Sequence, residues 1–166
     1  FEAWNADQTL QSAMTSSVNW YFQSIDEQLA STNIYNYIQQ IGYGNENVSG
    51  DLSTYWLESS LKISPVEQVE LLMKLQNNSL GFSSENINAV KDSICLSSSN
   101  TGKFYGKTGT GRVGGQDVNG WFIGYIEIVN NIYFFATNIG ADNNATGSNA
   151  AEITMSILSD MNIWTQ

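Results

Sequence analysis

The chain changes its hydrophobic period once, near Gly102, and that single switch limits the folds open to it. Up to Ile94 apolar residues recur at helical spacing; from Lys103 they run in strand-like blocks. Leu10, Ala13 and Met14 mark a first helix that Asp7 can cap, and Ser16-Ser17 interrupts it before Val18, Tyr21, Phe22, Ile25 and Leu29 resume the pattern. Thr32 can cap a short helix through Ile34, Tyr37, Ile38 and Ile41, ended by Gly42; a polar loop runs from Gly44 to Asp51. Ser64-Pro65-Val66-Glu67 is a capping box with proline at the first helical position, leading into Val69, Leu72, Met73 and Leu75. Ser84 can cap a further helix through Ile87, Val90 and Ile94, followed by a polar turn from Ser97 to Gly102. Three strands are then predicted, over Lys103 to Thr108, Gly120 to Ile128 and Ile132 to Ile139, with Asn130-Asn131 as a hairpin turn. After a loop from Gly140 to Gly147, the residues Ala150, Ile153, Ile157, Leu158 and Met161 predict an amphipathic helix lying on the sheet. The expected class is α+β, a single domain over 1–166 with a mainly helical region over 5–96 and antiparallel strands with a closing helix over 102–166.

Composition narrows the function. With 166 residues, 42% of them hydrophobic and 12% aromatic, the chain can bury a real core. A net charge of -10 with six lysines and arginines in all excludes nucleic acid as a partner, because neutralising phosphates needs clustered cations. One cysteine and no histidine exclude an internal disulfide and the usual zinc and Cys-His chemistries, so neither metal nor cofactor is expected. Cys95 reads as a small core hydrophobe. No run of eighteen apolar residues spans a bilayer, and Phe1-Glu2-Ala3-Trp4 lacks the regions of a signal peptide. The opening reads as mid-domain sequence, and three strands are few for the apolar surface present, so preceding sequence is expected to supply more.

The chemistry-bearing stretch is Lys107-Thr108-Gly109-Thr110-Gly111. On a strand edge it offers an ammonium, hydroxyls and a main chain that a flat ligand can approach where Gly109 has no Cβ, a set suited to a small anionic amide. Upstream lie Ser17-Val18-Asn19 at the helix junction, Tyr43-Gly44-Asn45 in the polar loop and Trp56-Leu57-Glu58 before the capped helix. With Trp4-Asn5, Asp7-Gln8-Thr9-Leu10, Trp20-Tyr21-Phe22, Tyr55, Leu61-Lys62-Ile63-Ser64 and Gly120-Trp121-Phe122-Ile123-Gly124-Tyr125, these anchors cover essentially the whole chain. In them the sequence resembles the class D β-lactamase-like, penicillin-recognising fold. It is more similar to the extracellular sensor domain of the β-lactam-responsive signal transducers of the staphylococcal penicillinase and methicillin-resistance type.

The resemblance implies a class D β-lactamase or penicillin-binding-protein-like fold whose first strands and nucleophile helix precede this segment. The family's acylated serine and its lysine stand in Ser-Thr-x-Lys, which occurs nowhere in this chain. Ser59-Ser60-Leu61-Lys62 satisfies Ser-x-x-Lys but follows the Trp-Leu-Glu segment, where relatives carry a structural element, and is read as a decoy. By the resemblance Ser17 relays a proton to the leaving nitrogen, and Lys107 assists and attracts the drug's carboxylate. Thr108 and Thr110 bond that carboxylate across Gly109, and the Thr110 amide supplies half of an oxyanion hole. Trp56 packs under the absent lysine. Asn19, where hydrolases carry an apolar residue, disfavours the lysine carbamate that activates deacylating water. Tyr43 and Asn45 either frame the site or are a structured turn; Trp121 either lines the cleft or is core. Arg112 reads as a solvated turn tip, and the segment 140–147 lacks the arginine with which many class D enzymes hold the carboxylate.

The expected partner is therefore a β-lactam antibiotic, and the expected location the outer side of a cell membrane, reached only through segments absent from this chain. A class D-like penicillinase is the alternative, distinguished by steady-state turnover. A non-catalytic binding or dimerisation module is a third reading, tested by whether penicillin labels the complete protein.

Overall fold

The computed structural model describes residues 1–164. Its sheet runs in sequence order, β1 (Cys95–Ser98), β2 (Gly102–Val113), β3 (Gln116–Ile128) and β4 (Asn131–Gly140), with β2–β3 and β3–β4 antiparallel. The helices are α1 (Leu10–Thr15), α2 (Asn19–Ile41), α3 (Pro65–Gln76), α4 (Ser84–Ser93) and α5 (Gly147–Asp160), preceded by a 3-10 turn at Glu2–Asn5. Two compact units result: Phe1–Ile63 with Met73–Cys95, and Ser64–Leu72 with 96–164.

In the sheet unit the expected three strands are four, because Cys95–Ser98 pairs with the start of β2 through a turn closed by the Ser99 amide on the Gly102 carbonyl at 2.9 Å. Strand β1 carries no alternating pattern, and main-chain pairing makes it a strand. Cys95 is exposed there, not a core residue. The turn between β2 and β3 uses Gly114 and Gly115 at φ 58° and 83°, the sign that matches the twist of a hairpin. The β3–β4 turn is Val129-Asn130, one residue earlier than expected: Asn131 already pairs with Ile128, and Asn130 takes the positive φ of 66°.

Strand alternation puts Phe104, Phe122 and Ile126 on the face that α5 covers with Ala150 and Leu158. Each such side chain contributes roughly 1.5–3 kcal/mol on burial. The buried face of α5 is Ala150, Thr154 and Leu158, whereas Ile153 and Ile157, expected inside, are 44% and 50% exposed. Thr154 can be buried because its hydroxyl lies 2.7 Å from Thr137 Oγ1 and 2.8 Å from the Ala150 carbonyl.

In the helical unit the caps shift by small steps. Thr9, not Asp7, caps α1, its Oγ1 accepting from the Ser12 amide while Ser12 Oγ accepts from the Thr9 amide. Ser83, not Ser84, caps α4, since the Ser84 hydroxyl accepts from Asn78 Nδ2. The short helix expected from Thr32 through Ile41 forms, but the break ahead of it falls at Ala30 (φ 62°, ψ 151°), two residues before Thr32, so α2 is two helical runs joined across a kink. At the start of α3, in the Ser64–Leu72 segment that belongs to the sheet unit, the capping box forms as predicted, with the Ser64 amide on Glu67 Oε2 at 2.8 Å and the Glu67 amide on Ser64 Oγ at 3.3 Å. The Ser64 hydroxyl, which donates to Glu67 Oε2 at 2.6 Å, and after it the Ser64 amide hold the Glu67 carboxyl below the usual carboxylate range.

Candidate functional site

Ser17 is exposed and sits in the left-handed region at φ 51°. Its amide bonds the Met14 carbonyl three residues back, and the Val18 amide bonds the Ala13 carbonyl five back, at 3.2 and 2.8 Å. This is the Schellman ending of α1. The same pair of bonds ends α2 at Gly42, α3 at Asn78 and α5 at Asn162, each at positive φ. Glycine and asparagine are the residues that accept this conformation; among these four endings Ser17 alone is neither, and an ordinary L-residue there costs about 1–2 kcal/mol. Ala13 and Val18, each fully buried, pin the turn from both sides. Strain of this kind concentrates where a side chain has work to do.

Two residues on, Asn19 opens α2 and is half-buried. Tyr43 follows the end of α2, half-buried, and burial pushes its hydroxyl above the usual tyrosine range. Asn45 joins two chain segments: its amide donates to the Lys62 carbonyl at 2.9 Å and its Nδ2 to the Ser60 carbonyl at 2.9 Å. Its Oδ1 accepts from the Lys62 amide at 3.0 Å and the Asn47 amide at 3.2 Å. Trp56 donates its indole N–H to Asp26 Oδ2 of α2 at 3.0 Å. Burial raises the Asp26 carboxyl, and burial together with Asp26 pushes the neighbouring Tyr55 hydroxyl up to about 12. The Ser60 hydroxyl donates to the Asn47 carbonyl and accepts from the Gly50 amide, while Lys62 Nζ lies 3.5 Å from Glu58 Oε2. Ser60 and Lys62 thus close a loop.

In the sheet unit, Lys107 lies opposite Ile123 and Gly109 opposite Trp121 on β3. Strand β1 has four residues against twelve in β2 and pairs at the start of β2, so the half carrying 107–113 extends beyond it. Lys107 is half-buried, and that burial holds its ammonium below the usual lysine range; Nζ donates to the Thr108 carbonyl at 2.9 Å. Thr108, Gly109 and Thr110 are exposed. Alternation places Thr108 and Thr110 on the α5 face and Lys107 on the other, so a ligand that meets both must lie along the strand edge. Arg112 pairs with Asp117 at 2.7 Å across the hairpin, beside a register shift after Gly111.

The predicted residues therefore form two groups, Ser17, Asn19, Tyr43, Asn45 and Trp56 in the helical unit and Lys107, Thr108, Gly109 and Thr110 in the sheet unit. Sequence reasoning missed Asp26, a helix residue that no spacing marks, and Gly147, whose amide reaches Thr110 Oγ1 at 2.9 Å. Among the described residues no group of acidic residues and cysteine is placed to hold a metal ion. None of the described helices is long and apolar enough to cross a membrane.

Comparison with known proteins places these features in a family. The penicillin binding protein transpeptidase domain model matches residues 1–159. Regulatory protein BlaR1 of Bacillus licheniformis is 47% identical over 99% of this chain, which spans 27% of that protein. The methicillin resistance mecR1 protein of Staphylococcus aureus is 43% identical over 98% of the chain, which spans 28% of it. The solved C-terminal domain of the Bacillus licheniformis BlaR penicillin-receptor superposes with a TM-score of 0.93 at 46% identity, covering 99% of this chain and 67% of that one. A class D β-lactamase from Bacillus subtilis superposes with a TM-score of 0.91 at 36% identity, covering 100% of this chain and 68% of that one.

Proposed function

Because the chain belongs to the penicillin-binding protein transpeptidase domain family, we propose that it forms part of an extracellular β-lactam sensor. The complete domain is acylated once by a penicillin and signals across the cell membrane to induce resistance. The observation that carries this reading is the higher identity to the penicillin-receptor domain than to the class D hydrolase, at the same extent of coverage. By the resemblance Asn19 stands where class D hydrolases usually carry an apolar residue, which supports it.

In the proposed reaction a serine hydroxyl from the Ser-Thr-x-Lys element of the complete domain attacks the lactam carbonyl. The new C–O bond forms as the C–N bond breaks, and the ring nitrogen takes up a proton. Ser17, at the strained end of α1, passes that proton. Lys107 and Thr110 meet the drug's carboxylate, and the Thr110 amide supplies one donor to the oxyanion. Asn19 keeps the lysine of the nucleophile element from holding the carbamate that would activate water, so the ester persists. Tyr43 and Asn45 frame the helical unit's own part of the site, and Trp56 packs under the lysine of the nucleophile element. Fluorescent penicillin incubated with the full-length protein should label one site per molecule and remain through repeated washing. Catalytic loss of penicillin at a steady rate would instead make the protein a class D-like hydrolase.

A further inference from the structure

The first amides of a helix have no partner inside it, and α5 disposes of two of its own in different ways. The Asn149 amide goes to the hydroxyl of the cap, Thr146, at 3.1 Å. The Gly147 amide goes out of the helix to Thr110 Oγ1 on β2, at 2.9 Å. This bond exists because Gly147 has no side chain: a Cβ there would lie 2.7 Å from the Gly109 carbonyl oxygen, 2.9 Å from Thr108 Cβ and 3.0 Å from the Gly109 amide nitrogen. Gly120 on β3 makes the matching concession, since its Cβ would lie 2.3 Å from the Thr146 carbonyl oxygen. The start of α5 is thereby seated directly on the exposed stretch Thr108 to Thr110.

The consequence falls on Thr110. A hydroxyl has one proton to give and two lone pairs to receive. With the Gly147 amide donating to its oxygen, and no acceptor for its own proton among the described residues, the exposed Thr110 hydroxyl is left to donate to a ligand. A donor already receiving a hydrogen bond is itself polarised and donates more strongly, and the positive end of α5 behind it favours an anion in front. Resting on the reading above, we infer that Gly147 is a positioning residue for the drug's carboxylate: it seats α5 against β2 and fixes the Thr110 hydroxyl as a donor. Anion selectivity is thus supplied from the helix start in a segment that has no arginine.

The test compares second-order acylation of the full-length protein by benzylpenicillin and by its methyl ester, which lacks the carboxylate charge. The unaltered protein should prefer the free acid. Gly147→Ala and Thr110→Val should each narrow that preference by about tenfold, the ester rate changing much less, and Thr110→Ser should restore it. Thr110→Val leaves Gly147 in place and removes the hydroxyl, so it tests the donor itself if Gly147→Ala fails to fold. Equal slowing of acid and ester in both variants, or an unmoved ratio in Thr110→Val, would overturn the inference while leaving the receptor reading intact. Failure of the unaltered protein to be acylated by either compound would overturn both.

Discussion

The two units hold their candidate residues by opposite means. In the helical unit Ser17 hangs on a strained helix ending, Asn45 on side-chain bonds between loops and Trp56 on a side-chain bond to α2; in the sheet unit Lys107 to Thr110 ride on a twelve-residue strand paired residue by residue with β3. A paired strand fixes the spacing of its residues whatever the side chains are. A loop residue is fixed only by the particular bonds that side chains make, so identity and position are inseparable there. Substitutions in the helical unit should therefore change stability as well as function, and those in the strand should change chemistry with the frame intact.

Ser17→Gly breaks this comparison most sharply. It removes the hydroxyl and also relieves the left-handed strain, so acylation by benzylpenicillin should fall by about 10²-fold or more while stability in urea stays level or rises by up to about 1 kcal/mol. A parallel loss of both would make Ser17 a structural residue. The second test uses the Lys107 ammonium, which burial shifts downward. Between its lowered value and the ordinary lysine range the unfolded chain holds more protons, so stability should rise with pH across that window while the acylation rate falls. In Lys107→Met both slopes should flatten; unchanged slopes would assign them to another group.

Smaller effects sharpen the frame itself. Asn45→Ala deletes two bonds to main-chain carbonyls or amides of the 60–62 segment made by its side chain and should cost about 2 kcal/mol in chemical denaturation. Gly42→Ala, which forces an alanine into the conformation that Ser17 already tolerates, should cost about 1 kcal/mol, whereas Ser17→Ala should cost less than half as much. If the two substitutions cost the same, strain is not the distinction between these helix endings.

The same contrast decides what could be read from the sequence. The period switch near Gly102 is a matter of burial on one face, and it foretold β2, β3, β4 and α5 because paired strands and amphipathic helices repeat. Strand β1 escaped because Cys95–Ser98 is held by main-chain pairing alone and leaves no periodic trace. The α5 face was misjudged because Thr137 offers Thr154 a hydroxyl partner, a contact between β4 and α5 that no local pattern encodes. Caps were displaced by one or two residues wherever several serines or threonines stood together and their other bonds chose among them. For the candidate site, the motif residues were legible through family resemblance. Asp26 and Gly147 were not, since each matters only through what the fold brings against it.

The central claim is that β-lactam attaches once and stays. Intact-mass spectrometry of the full-length protein, followed for hours after one equivalent of benzylpenicillin, measures this directly. The account predicts a single added mass equal to the whole drug that persists without release of penicilloate. An adduct that disappears while penicilloate accumulates beyond one equivalent per protein on repeated additions would contradict it.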